Sequence, residues 1–259
     1  MKKENNEEKE NLNANLDILC ELLDLHYSGI MHISNFYRVG DVIPNVPLRY
    51  RRLNEVVDLV VIGIEHDTIA GTNIKAALTL SQVNCLNDCR YMNGNYNDYT
   101  YAHYSTSNLR TWINSTYYNA LPNTLQDLIK PVDKLTAEPA SSREYSTTTL
   151  VSSIEKCFIP SNCEVFGTNY YYHRTNSEIY GVDGMFDGMQ YEYYKTKKNR
   201  LKSVKNVRGF NTFFWWTRSG FITLYDTKSI AKFIAVHYDG VINDFCATGF
   251  AGVCPCFCI

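Results

Sequence analysis

Apolar residues recur along this chain with two different periods. Leu12, Leu16, Leu19, Leu23 and His26 follow 4-3-4-3 spacing, which predicts an amphipathic helix. The polar stretch at 1–11 reads as a flexible leader. Ser28-Gly29 ends the helix, and 36–44 reads as a strand running into Pro44 and Pro47. Val56 to Ile64 is nearly continuous apolar sequence and predicts a buried strand, with a second short one at Ala76 to Leu80. Leu109, Trp112, Ile113 and Tyr117 share one helical face behind a Ser/Thr cap. A further short helix is expected at Asn123 to Ile129. Residues 136–149 read as a Ser/Thr-rich loop, Ile154 to Pro160 as a strand, and 168–206 as a long aromatic insertion punctuated by glycines.

Period two dominates the C-terminal part. In Phe213-Phe214-Trp215-Trp216-Thr217-Arg218 a strand places Phe214 and Trp216 on one face, Phe213 and Trp215 on the other. Four such aromatics require burial on both faces. In the terminal run Val253, Pro255, Phe257 and Ile259 share one face and Cys254, Cys256 and Cys258 the other. Trp112, Phe214, Trp215, Trp216, Arg218, Gly252, Pro255 and Phe257 are thus the expected frame, with Arg218 hydrogen-bonded inside it.

These segments also carry a resemblance. Gly63-Ile64-Glu65-His66-Asp67, Ser107 to Asn114, Phe158 to Gly167, the Trp-Trp-x-Arg-Ser run and the final Gly-Val-x-Pro-x-Phe resemble, over roughly residues 55–259, a domain-of-unknown-function family common in gut bacteria and their phages. That family usually carries Arg-Pro-Ala where Cys254-Pro255-Cys256 stands here. The resemblance implies an α+β, C-type-lectin-like fold: a mixed or antiparallel sheet with two short helices, preceded by an N-terminal helix. It also implies a distant relation to variable proteins diversified by retroelements and to formylglycine-generating enzymes. The expected organisation is a leader and helix at 1–28, a linker or strand at 29–54, and the domain at 55–259.

Composition narrows the function. A net charge of −2 gives no electrostatic case for nucleic acid. No apolar run reaches the ~20 residues that span a bilayer, so no membrane insertion is expected. The start lacks a signal peptide's apolar core, so synthesis in a cytoplasm and residence in a virion are expected. Nine cysteines cannot all pair, and free thiols are the default. Cys85-x3-Cys89 and the terminal cysteines are zinc candidates, but no tight pair of the structural-site kind exists, so neither metal nor cofactor is expected. His66 beside Asp67 reads as structural, because strand neighbours face opposite ways. Local signatures of phosphate-loop, dinucleotide or metalloprotease chemistry do not occur in the sequence.

Twenty tyrosines, clustered with small polar residues, have the composition of binding loops. The expected ligand contacts are Tyr170, Tyr171, Tyr172, Tyr191, Tyr193, Thr223, Tyr225, Asp226, Lys228, Tyr238, Asn243, Asp244, Phe245 and Thr248. The expectation is a non-enzymatic display protein: a phage tail- or fibre-associated adhesin that binds a host-surface protein or glycan, or other virion proteins. Homo-oligomerisation through the N-terminal helix and retroelement diversification of 221–251 belong to the same expectation. The alternatives are a structural virion or surface module, and a cysteine-dependent enzyme using Cys246, Cys254 or Cys256.

Overall fold

The computed structural model describes residues 4–140, 148–168, 186–204, 213–225 and 228–259. The fold is α+β. Its centre is a five-stranded antiparallel sheet ordered β1-β2-β3-β10-β6, built from β1 (Val42–Tyr50), β2 (Leu53–Ile64), β3 (Leu78–Gln82), β6 (Cys157–Phe158) and β10 (Cys256–Cys258). A hairpin of β4 (Val132–Pro139) and β5 (Thr148–Glu155) forms a second sheet. The third is β7 (Trp215–Tyr225), β8 (Lys228–Val236) and β9 (Ile242–Cys246). The α-helices are α1 (Glu4–Tyr27), α2 (Asn108–Trp112), α3 (Asn123–Leu128) and α4 (Asn162–Phe166).

The central sheet is buried on both faces, and the two-residue alternation sorts its side chains into two cores. Leu59 and Val61 of β2, Leu80 of β3, Phe257 and Ile259 fall in one. Val60, Ile62, Cys254, Cys256 and Cys258 fall in the other. The paired tryptophans divide the same way, Trp216 into the first core and Trp215 into the second. Phe213 and Phe214, just before β7, are only half-buried. Pro44 and Pro47 lie in β1, which is an edge strand, where a missing N–H is tolerated.

Three expectations are corrected. The polar leader is helical from Glu4. Residues 36–41 precede β1 rather than belonging to it. Residues 136–139 and 148–149 are strand, and Lys134, Thr136 and Glu138 point inward and find polar partners while Leu135 is exposed. The Leu12, Leu16, Leu19, Leu23 stripe is already buried in the chain's own first core, with α1 packed against β1 and α3. In the single chain that stripe is therefore covered by the protein's own core. Among the described residues no helix is long and apolar enough to cross a membrane.

Candidate functional site: an arginine–aromatic cleft on a charged frame

Arg218 lies on β7 and is fully buried. Its guanidinium donates to both Glu164 oxygens at 2.6 and 2.9 Å and to the carbonyls of Leu135, Ile159 and Asp187. Glu164 is in place because Ser161 and Glu164 form a capping box at the start of α4. The Glu164 carboxylate also accepts from Lys134 at 2.8 Å. Lys134 in turn donates to Asp67 and to the Tyr191 hydroxyl, and Asp67 accepts further hydrogen bonds from Tyr191 and Thr79. Asp187 continues the chain by accepting from Ser219.

Burial alone raises the Asp67 and Glu164 pKa values. Lys134 and His66 more than reverse this for Asp67, and Arg218 and Lys134 do so for Glu164, so both stay ionised. Every member is held by internal bonds and is at most 6% exposed. The network ties β3, β4, α4 and β7 together; it is a frame.

This frame positions an open cleft. The Trp216 indole donates to the Arg90 carbonyl at 2.7 Å, and Arg90 and Ala251 exchange both backbone hydrogen bonds. With its backbone clamped, Arg90 lays its guanidinium over the Trp112 ring, 3.9 Å from the centroid, the geometry of a cation–π contact. Nη2 pairs with Asp88 at 2.7 Å, while the buried Nε has no hydrogen-bond partner. The cleft measures about 680 Å³, and Arg51, Arg52, Asn54, Asn87 and Thr116 complete its walls. Arg51 and Arg52 are exposed at the β1–β2 turn. A neighbouring cleft of about 260 Å³ shares Asp88, Arg90 and Trp112 and adds Tyr91 and Phe250, whose exposed rings meet edge to face at 5.8 Å.

The expected contacts distribute unevenly. Tyr170, Tyr171, Tyr172 and Asp226 lie outside the described residues. Thr223, Tyr225 and Lys228 sit on the β7–β8 hairpin, Tyr225 paired with Lys228. Tyr238, Asn243, Asp244, Phe245 and Thr248 come together on β9 and its flanking turns. Among them Tyr238 is exposed, Asp244 pairs with Lys232 at 2.5 Å, and Phe245 stacks on Phe214 at 5.4 Å. Tyr191 is a correction: it is fully buried, its hydroxyl spent on Lys134 and Asp67. Tyr193 is half-buried with its ring edge on Tyr194. Of the expected frame, Trp215, Trp216, Arg218, Gly252, Pro255 and Phe257 are buried, and Trp112 instead lines the cleft.

The segments that build frame and cleft coincide with a recognised sequence unit. A family model described as a domain of unknown function, DUF6273, matches residues 75–259. The chain belongs to this family. No curated protein and no solved structure matches it. The DUF6273 match takes in Arg90, Trp112, the whole of β7 to β10 and all of the buried charge network except Asp67. Arg51 and Arg52 lie ahead of it.

Arg51, Arg52, Arg90 and Tyr91 are the cleft residues that sequence reasoning missed. An arginine beside a tyrosine at 90–91, ahead of the Asn93-Gly94 turn pair, is the available signal. Nothing local announces that the turn at Arg51 and Arg52 and the helix that carries Trp112 close around it.

Proposed function

We propose that this DUF6273 chain is a non-enzymatic ligand-binding display protein, carried on a bacteriophage virion as a tail- or fibre-associated adhesin for a host-surface protein or glycan. The observation that supports it is the Arg90–Trp112 pair: a guanidinium stacked on an aromatic ring, in an open cleft, with a buried N–H left unbonded. Unbonded buried donors are rare and favour a ligand that completes them. Arg51, Arg52 and Arg90 together exceed Asp88 and Glu55 in the lining by one positive charge, which favours an anionic ligand. Exposed Tyr91 and Phe250 extend the contact surface as rigid aromatic area. In this reading the C-type-lectin-like fold supplies the frame, and the segment at 221–251 is where a retroelement would introduce variation.

The test is binding of the purified chain to arrays of anionic and neutral glycans and to host-cell envelopes. Arg90→Gln and Trp112→Ala are expected to weaken any binding found by about tenfold or more, one good charge-assisted contact being ~1.5–3 kcal/mol. Unchanged binding in both variants refutes the cleft.

A further inference from the structure

Lys134 is buried on β4, and its ammonium donates to three oxygens: Asp67 Oδ1, Glu164 Oε1 at 2.8 Å and the Tyr191 hydroxyl at 2.8 Å. The Phe158 ring closes the site from one side, its centroid 4.0 Å from Nζ. An amine and two carboxylates are thus held in contact away from water, and an amide is the covalent product such a set can form.

The two carboxylates are not equivalent. Arg218 donates to both Glu164 oxygens at 2.6 and 2.9 Å, and the Ser161 N–H to Oε2 at 2.9 Å. So bonded, Glu164 stays an anion, and its carbon is a poor target for a nucleophile. Asp67 is held differently. Its Oδ2 accepts from the Thr79 hydroxyl at 2.6 Å and the Tyr191 hydroxyl at 2.8 Å, with the Cys258 sulfur at 3.4 Å. Its Oδ1 faces Lys134 and lies 3.5 Å from His66 Nδ1. Two neutral hydroxyls therefore stand at Oδ2, where negative charge collects when the Asp67 carbon becomes tetrahedral, which is the arrangement of an oxyanion hole. Burial opposes the charges of Asp67 and Lys134, and their mutual attraction more than reverses this, so the pair starts as ions.

We propose that the folded chain joins Lys134 to Asp67 by an amide bond between Nζ and Cγ, with Glu164 carrying the proton and Thr79 and Tyr191 holding the oxyanion. The step begins when Nζ passes one proton to Oδ1 along the hydrogen bond between them, which leaves a neutral amine beside a carboxylic acid. The amine lone pair attacks Cγ, and the carbonyl electron pair moves onto Oδ2. Nζ gives a second proton to Glu164 Oε1. Glu164 returns it to the Oδ1 hydroxyl, which leaves as water while the Oδ2 pair re-forms the carbonyl. The third proton stays on the amide nitrogen. Nothing is oxidised or reduced: an ammonium and a carboxylate become an amide and one water. Effective molarities of about 10⁵–10⁸ M for groups held in this way offset the bulk water that opposes condensation in solution. The bond also removes two buried charges and leaves Glu164 balanced by Arg218. It ties Asp67, ahead of the family match, to Lys134 inside it. In the joined chain Glu164 titrates and Asp67 does not.

The experiment holds the folded full chain at neutral pH, measures its intact mass under denaturing conditions and maps its peptides by tandem mass spectrometry. The expected result is a chain lighter by one water, with a branched peptide that contains both Asp67 and Lys134. Lys134→Met is expected to keep the full mass. Glu164→Gln, its folding checked by tryptophan fluorescence, is expected to form the bond about 10²-fold more slowly. The full mass in the native chain, a water loss that maps to another residue or to a Lys134–Glu164 link, a deficit that survives Lys134→Met, or an unchanged rate in folded Glu164→Gln overturns the proposal. The native-chain mass and peptide map decide the matter even if both variants fail to fold, and neither depends on a ligand at the Arg90 cleft.

Discussion

Replacing Arg218 by methionine tests whether the buried network is a frame. The substitution keeps the length and apolar stem of the side chain and removes the guanidinium. Glu164 loses two charged hydrogen bonds but keeps Lys134 and the Ser161 N–H. The carbonyls of Leu135, Ile159 and Asp187 each lose a donor. Breaking one partner out of a buried ion pair costs about 3–5 kcal/mol. Orphaned carbonyls add to that, and Lys134 offsets part of it, so the expected net loss is about 4 kcal/mol, a large share of the ~5–15 kcal/mol of a typical domain. With a urea slope of about 3 kcal/mol/M, the midpoint falls by about 1.3 M. Trp215 and Trp216 are buried and report unfolding by fluorescence. Glu164→Gln in the same assay is expected to cost a comparable amount, and the double variant less than the sum, because the second change removes a charge already left partly unpaired. A midpoint shift below about 0.3 M for Arg218→Met, or strict additivity of the pair, refutes the frame.

Two further outcomes follow from the same geometry. Asp67 and Glu164 have folded pKa values below their unfolded ones, so their stabilisation is complete above the unfolded carboxylate range and is lost as pH falls through the folded values; Arg218→Met raises the Glu164 value and is expected to move the acid-unfolding midpoint to higher pH, measured by circular dichroism. At Gly220 an added Cβ lies 1.8 Å from the Ala102 carbonyl oxygen, at the irregularity in the β7–β8 pairing, so Gly220→Ala is expected to destabilise by more than 2 kcal/mol in urea titration, whereas the same change at Gly71, with open space around it, costs only its positive-φ strain of ~1 kcal/mol.

Where side chains alternate between apolar faces, the sequence was readable. Trp215, Trp216 and the run from Val253 to Ile259 are assigned to buried faces from period alone, and they are buried. The period failed where polar residues face inward. In β4 one face turns Val132, Lys134, Thr136 and Glu138 inward, with Ala137 and Pro139 buried beside them, and three of those four inward residues are polar, so the segment reads as a loop. Lys134 is interior because Asp67 and Glu164 meet it, and Glu138 because Ser105 donates to it through backbone and hydroxyl. Those partners are distant in sequence and no local window contains them. Tyr191 was misplaced for the same reason: its ring suits a binding loop, and only the Lys134–Asp67 pair explains why its hydroxyl is buried. The cleft is assembled from Arg51, Arg90 and Trp112, which only the folded chain brings together.

The frame and the cleft are one mechanical unit, and Trp216 is the joint. Its ring packs in the first core against Phe233 and Phe245, and its N–H reaches out to the Arg90 carbonyl. Its backbone N–H bonds Gly252, and the Gly252 N–H bonds Phe214. A Cβ at Gly252 would stand 2.7 Å from the Cys85 sulfur, so glycine there lets the terminal strand approach the Cys85 loop closely. Arg90 is therefore set by the core rather than by its own exposed loop. A guanidinium fixed in this way loses less entropy on meeting a ligand than one on a free loop. The arrangement separates two demands: Arg218 and its partners hold the strands in one register, while Tyr91 and Phe250 at the neighbouring cleft carry exposed side chains outside that network. On the proposed reading as a displayed binding protein, exchange at such exposed positions leaves the buried network intact.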